Sequence, residues 1–217
     1  MSHALFSPSS AHRWMNCTAS IMASKGIVEE ESEAAKEGTI AHALCELKLK
    51  NYFRGDEWTD NDLTMCIKML SREPLWDKEM LEYSDIYLEE VKKAAMDFPY
   101  EPWVDVESRV DIFEDCFGTA DCILIGGDTL HVIDFKYGKS PSGRVLAEDN
   151  PQMLLYAVGA YKKYRMLYNI QRVKMSIIQP RLPDGITHWT TDVDMIIKFL
   201  SLAIEKAEEA KSGHGVY

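Results

Sequence analysis

Phe117-Gly118-Thr119-Ala120-Asp121-Cys122-Ile123-Leu124-Ile125, then Gly126-Gly127-Asp128, then Thr129-Leu130-His131-Val132-Ile133-Asp134-Phe135-Lys136: this stretch decides how the chain is read. Both flanks are rich in β-branched and apolar residues, and the Gly-Gly-Asp between them breaks the run as a tight turn does. With Gly127 and Asp128 as the central pair, the Gly-X order suits a type II′ hairpin turn. Gly126 then pairs with Thr129, and counting outward places Asp121 opposite Asp134. Alternation along the strand puts Lys136 on the face of Asp134. Ile123, Ile125, Leu130 and Val132 fill one face and Ala120, Leu124, Ile133 and Phe135 the other. A strand pair apolar on both faces is expected to be buried on both.

Side chains opposed across antiparallel strands have Cβ atoms about 4.5–5.5 Å apart, and like charges there destabilise the pair. Asp121 and Asp134, at the end of a buried hairpin, therefore need a compensating partner. A divalent cation held by oxygen ligands is one solution. A frayed, solvated strand end with Lys136 as counter-charge is another. Shifting the turn by one residue would send the two carboxylates to opposite faces and remove the problem altogether.

The 217 residues fit one domain, with about 1–98 as a mainly helical part and about 103–211 as a sheet core with its helices. Hydrophobic content of 46% and charged content of 27% are ordinary for a globular protein. No apolar run is long enough to span a membrane, and the start of the chain lacks a basic-then-apolar signal pattern. Five cysteines (Cys17, Cys45, Cys66, Cys116, Cys122) show no paired spacing, which points to a reducing cytoplasm. A net charge of −11 argues against a protein that simply coats nucleic acid. It leaves room for an enzyme that meets phosphate through a cation and a local basic patch.

Ahead of the hairpin, capping residues in Ser7-Pro8-Ser9-Ser10 precede a helical stretch through Trp14 to Cys17. A second helix is expected from about Glu29 to Asn51, its acidic start suiting the helix dipole. Within it His42 and Glu46 are four apart and share a face. They read either as a hydrogen-bonded pair or as ligands to one site. Gly38 lies one turn earlier; a glycine costs about 1 kcal/mol in a helix interior, which points to close approach by another backbone. Residues from about Asp60 to Phe98 read as helix with a lid or packing role, closed by Pro99 and Pro102. Trp103 to Phe113 alternate like a strand, with Glu107 either exposed or an outer carboxylate of the site. After Lys136, a loop carrying Lys139 and Arg144 leads to Asn150-Pro151, a helix start with proline at the first position. That helix runs to about Tyr168 and sets Gln152 and Tyr156 on one face, with Lys163 two turns on. Val173 to Gln179 and Ile186 to Thr191 read as strands, and Asp192 caps a last helix, Met195 to Lys211. The order predicts an α/β core with helices on both faces of a sheet.

Together these elements resemble the PD-(D/E)XK nucleases of the RecB-like branch, in particular phage- and prophage-encoded exonucleases. The resemblance rests on Gly38-x-x-x-His42-x-x-x-Glu46, Gly118-Thr119-Ala120-Asp121, Asp134-Phe135-Lys136, Gln152-x-x-x-Tyr156 and the N-terminal Ser-Pro-Ser-Ser-x-x-Arg-Trp-x-x-Cys, over roughly residues 7–180. It implies a restriction-endonuclease-like core (a mixed central β-sheet flanked by helices) with an N-terminal helical elaboration. It also implies Mg²⁺ or Mn²⁺ held by His42, Asp121, Asp134 and the Phe135 carbonyl. Asp121, Asp134 and Lys136 become the catalytic set, with Lys136 activating water and stabilising charge on the phosphate. Glu46 becomes an outer-shell contact, and Gln152 and Tyr156 position the DNA.

The implied activity is exonucleolytic hydrolysis of linear DNA in phage recombination or DNA processing, inside a bacterial host. The implied partners are DNA, a recombination or single-strand annealing protein, and further copies of the chain in a ring. Many such relatives hold an iron–sulfur cluster with one early and three late cysteines. Cys17 matches the first, but no cysteine follows Cys122, so no cluster is expected and Cys17 reads as a small buried residue. Two other classes compete with an active nuclease: a catalytically idle nuclease fold that binds DNA or a partner, and a purely structural or inhibitory phage protein.

Overall fold

The computed structural model describes residues 4–24, 26–27, 31–55 and 59–212. Five strands form one sheet in sequence order: β1 (Trp103–Phe113), β2 (Cys116–Gly126), β3 (Thr129–Phe135), β4 (Arg172–Ile178) and β5 (Ile186–Asp192). All neighbours are antiparallel except β3 and β4, which run parallel. A parallel pair needs a crossover, and the helix Pro151–Tyr164 supplies it. The helices in chain order are α1 (Ala11–Asn16), α2 (Ser20–Ala23), α3 (Glu33–Phe53), α4 (Asp60–Leu70), α5 (Glu79–Met96), α6 (Pro151–Tyr164) and α7 (Val193–Lys211).

The result is a mixed sheet with helices on both faces. Phe6, Trp14, Val110, Ile123, Val132, Leu155 and Ala203 share the core beneath α1, α6 and α7. Leu44, Leu49, Tyr87, Val91, Leu124 and Phe135 share the second core, beneath α3 and α5. Side-chain caps start α3, α6 and α7. The Ser32 hydroxyl accepts from Ala35 N–H (3.2 Å), the Asn150 side chain from Gln152 and Met153 N–H, and Asp192 from Met195 N–H (2.8 Å).

The hairpin has the expected register, from Gly126↔Thr129 to Cys122↔Ile133. Gly127 takes φ +58°, as the first central position of a II′ turn requires. One expectation fails beside it. Val106 belongs to the core under α3, whereas Val110 and Ile112, of the same parity, belong to the core under α6. Ala120 packs under α6 while Cys122 and Leu124 pack under α3, so Ala120 does not share a face with Leu124. Both strands therefore change faces at one level. That level is Glu107, which lies across from Asp121 between the pairs Val106↔Cys122 and Ser108↔Ala120, and which takes φ +52°. A non-glycine residue in the left-handed region resets the alternation of everything beyond it.

Smaller corrections concern boundaries and environments. The helix expected from Glu29 begins at Glu33; Glu29 and Glu30 lie outside the described residues. The helical stretch over Asp60 to Phe98 resolves into two helices separated by a turn containing Pro74, since proline cannot donate in a helix interior. Nothing approaches within 4 Å of a Cβ built on Gly38, so no backbone presses on it. Cys17 is partly exposed rather than buried, at the end of the short α1. α6 ends at Tyr164, four residues early.

Close packing of α6 on β1 depends on Gly159, where a Cβ would meet Val110 Cβ at 2.7 Å. Gly159→Ala should cost about 1–3 kcal/mol through overpacking, read as a lower midpoint in urea; an unchanged midpoint would show that β1 can yield.

A second stability test concerns His131, buried on β3, whose Nε2 lies 2.7 Å from Ser176 Oγ, itself 2.8 Å from His188 Nδ1. Burial first, then Lys174 and His188, push its pKa down to about 3. The unfolded chain, with an ordinary imidazole near 6.5, binds the extra proton between those values. Stability from this residue is thus complete above about pH 6.5 and lost as the pH falls toward 3, on the order of 1.4 kcal/mol per pH unit. His131→Leu should flatten that slope in denaturation series from pH 6.5 to 4, and an unaltered slope would assign the acid sensitivity elsewhere.

Candidate metal centre

The site forms where β2 and β3 part. Their ladder stops at Cys122↔Ile133, while β3 stays paired with β4 through Phe135↔Ile178. In place of a strand carbonyl, Asp121 Oδ2 accepts the Phe135 N–H at 2.7 Å. This contact holds the Asp121 carboxylate at the mouth of the fork. From the α3 side, His42 Nδ1 comes to 3.4 Å from the same Oδ2, its ring edge-on to Phe135 with centroids 5.2 Å apart. From the edge strand, the left-handed turn at Glu107 delivers a second carboxylate. His42, Glu107 and Asp121 each present a ligand atom within 4.8 Å of the others.

Beside this trio sits a second, interlocked group. The buried Asp134 has Oδ2 2.9 Å from Lys136 Nζ and accepts at Oδ1 from Gln152 Nε2 (3.0 Å). Lys136 also donates to Gln152 Oε1 at 3.0 Å, so the amide bridges acid and base. Gln152 stands on the first turn of α6, placed there by the Asn150 cap and Pro151. Tyr156, one turn on, is 6% exposed and packs so closely on β2 that a Cβ at Gly118 would lie 3.0 Å from its ring. Lys136 and Gln152 open onto a cleft of about 630 Å³ also bordered by Ser9, His12 and Arg144.

The charges are tightly linked. Burial would raise the Asp121 carboxyl, but His42 and the Phe135 N–H leave it below the usual carboxylate range. Burial would lower His42, and Asp121 reverses that, leaving the imidazole above its ordinary value. Asp134 is raised by burial and by the neighbouring Asp121, against the pull of Lys136. Glu107 is pushed up to about 7 by burial, then by Asp121 and Glu46. Lys136 is raised by Asp134 and Asp121 in spite of burial. Among the described residues, the pull of His42 and Lys50 on Glu107 is outweighed by burial and by Asp121 and Glu46.

Two carboxylates and an imidazole, with a third carboxylate adjacent, suit a divalent ion that prefers oxygen and tolerates nitrogen. The residues present fit such a group.

The structure gathers His42, Asp121, Asp134, Phe135, Lys136, Gln152 and Tyr156 at one end of the sheet. It differs from the sequence reading in their grouping. Glu107 joins His42 and Asp121, while Asp134 is engaged with Lys136 and Gln152. Glu46 is paired with Lys50 one turn along α3 and contributes charge rather than a ligand atom. Lys163 turns away to Asp105 and Ser108, and Arg144 donates to the Asp184 carbonyl. The β1–β2 register shifts between Asp111 and Phe113, so a count outward from the turn joining those strands does not bring Glu107 opposite Asp121.

A family profile described as "Protein of unknown function (DUF2800)" matches residues 3–217. The chain belongs to the DUF2800 family. Among solved structures, this DUF2800 chain is similar to an alkaline exonuclease from Laribacter hongkongensis at 11% identity, over 79% of this chain and 87% of that one, with a TM-score of 0.35. A candidate exonuclease from Eubacterium rectale matches at 10% identity over 96% of the DUF2800 chain and 81% of its own, with a TM-score of 0.46. Overlaps this loose fix neither an activity nor the residues that perform it.

Proposed function

We propose that this DUF2800 protein is a Mg²⁺- or Mn²⁺-dependent DNA nuclease, acting as an exonuclease on linear DNA. The observation that carries this reading is the convergence of His42, Glu107 and Asp121 within ligand distance, beside a lysine locked to Asp134 and open to a cleft. The finer assignment rests on the motif resemblance: the RecB-like branch, DNA processing in phage recombination within a host cell, and work alongside an annealing protein or in a ring of copies.

His42, Glu107 and Asp121 would hold the cation, joined by Asp134 and the Phe135 carbonyl. Bound there, such an ion would supply an acidified water and a counter-charge for the phosphate. Lys136 holds its proton and presents a fixed positive charge to the phosphate oxygens. Asp134 and Gln152 aim that ammonium, and Gln152 would line the wall against which the DNA strand rests, with Tyr156 buried one turn behind it. His42 sheds its proton when it becomes a ligand, so binding is tighter at higher pH.

The test is cleavage of linear duplex, linear single-stranded and closed circular DNA with Mg²⁺, Mn²⁺ or EDTA, with Asp134→Ala in parallel to exclude a contaminant. Metal-dependent loss of linear DNA, absent in the variant, is the expected result. Equal loss with wild type and variant would remove the reading.

A further inference from the structure

Arg181 lies between β4 and β5 with its side chain only 7% exposed. Its Nη1 donates to Glu37 Oε1 at 3.2 Å and lies 3.5 Å from the Tyr137 carbonyl; its Nη2 is 4.0 Å from Glu79 Oε2. The guanidinium covers the Tyr137 ring at 4.3 Å and approaches that of Tyr83 at 5.8 Å.

These partners sit on different elements with one thing in common. Tyr137 directly follows Lys136, and Glu37 lies on α3 just over one turn before His42. Glu79 opens α5, which carries Tyr83. Around Arg181 the exit of β3 is fastened a second time. Lys136 N–H donates to the Ile178 carbonyl, and Gln179 donates to Gly138 and Gly143 carbonyls while accepting from Val145 N–H.

We infer that Arg181 is a positioning residue for the metal centre: it sets how closely the His42 end of α3 approaches the end of β3. The inference rests on the metal-centre reading above. Its physical basis is geometric. One planar cation satisfies Glu37 and the Tyr137 carbonyl while stacking on a ring, which a lysine ammonium cannot do at once. Without it, Glu37 and Glu79 lose the cation they share, and the His42 end of α3 loses its tie to the Tyr137 carbonyl at the exit of β3. The trio depends on that spacing, because His42 comes from α3 while Asp121 and Glu107 come from the sheet.

The experiment is calorimetric titration of Mn²⁺ into wild type, Arg181→Ala, Arg181→Lys and Glu37→Gln, at a temperature where circular dichroism shows each folded. Positioning partners of metal sites typically matter by about 10- to 100-fold in affinity. Arg181→Ala should weaken Mn²⁺ at least about tenfold, with Arg181→Lys and Glu37→Gln between it and wild type. A purely structural role would lower the melting temperature of Arg181→Ala and leave its Mn²⁺ affinity unmoved, which would overturn the inference. If Arg181→Ala does not fold, the other two variants decide it: wild-type affinity in both overturns it, a graded loss supports it. Absence of Mn²⁺ binding by wild type is a separate result, visible in the control, and removes the metal centre together with this role for Arg181.

Discussion

Lys136→Ala is expected to slow phosphodiester cleavage by on the order of 10²–10³-fold while leaving Mn²⁺ affinity close to wild type. The split follows from where the lysine stands. Its ammonium is 2.9 Å from Asp134 and 3.0 Å from Gln152 and borders the open cleft, but it is no part of the trio. Its charge acts on what enters the cleft, so its loss falls on the chemical step. Asp134 keeps the Gln152 amide as a donor when the ammonium is gone. The fold is therefore retained. Single-turnover cleavage of an end-labelled duplex measures the rate, and wild-type turnover would take Lys136 out of the mechanism.

Asp121→Asn should act on the other half of the site, weakening Mn²⁺ by on the order of 10²-fold, since a full charge in contact with a divalent ion is worth several kcal/mol even in a partly screened site. An amide oxygen can still accept the Phe135 N–H, so the fork between β2 and β3 persists. What is lost is the anion that draws both His42 and a cation. Titration calorimetry gives the affinity directly. Unchanged Mn²⁺ binding would mean that the carboxylate at the strand fork is not a ligand.

Much of the architecture is legible because it is encoded locally. Gly127 after Gly126 sets the hairpin and its register, Asn150-Pro151 starts α6, and Asp192 starts α7, each within a few residues of its effect. What was not legible is set by contacts far apart in the chain. No local pattern announces that Glu107 adopts a left-handed conformation, and with it went the face of Ala120 and the identity of the trio's second carboxylate. The expected facing of Asp121 and Asp134 stops one pair short, because the β2–β3 ladder ends at Cys122↔Ile133 and Asp121 turns to the Phe135 N–H. Gln152 from α6 and Lys136 engage Asp134. Arg181 and Glu37 are 144 residues apart, and nothing near either one foretells the other.

The contact between Asp121 Oδ2 and the Phe135 amide also makes the site observable without any substrate. That backbone proton is bonded to a carboxylate whose charge a bound ion would share, so its nitrogen and proton resonances should move when Mg²⁺ is added. Amides deep in the hairpin, such as those of Ile123 and Leu130, should hold still. A two-dimensional amide spectrum would then report occupancy of the centre from within the main chain, even in a variant that can no longer turn over.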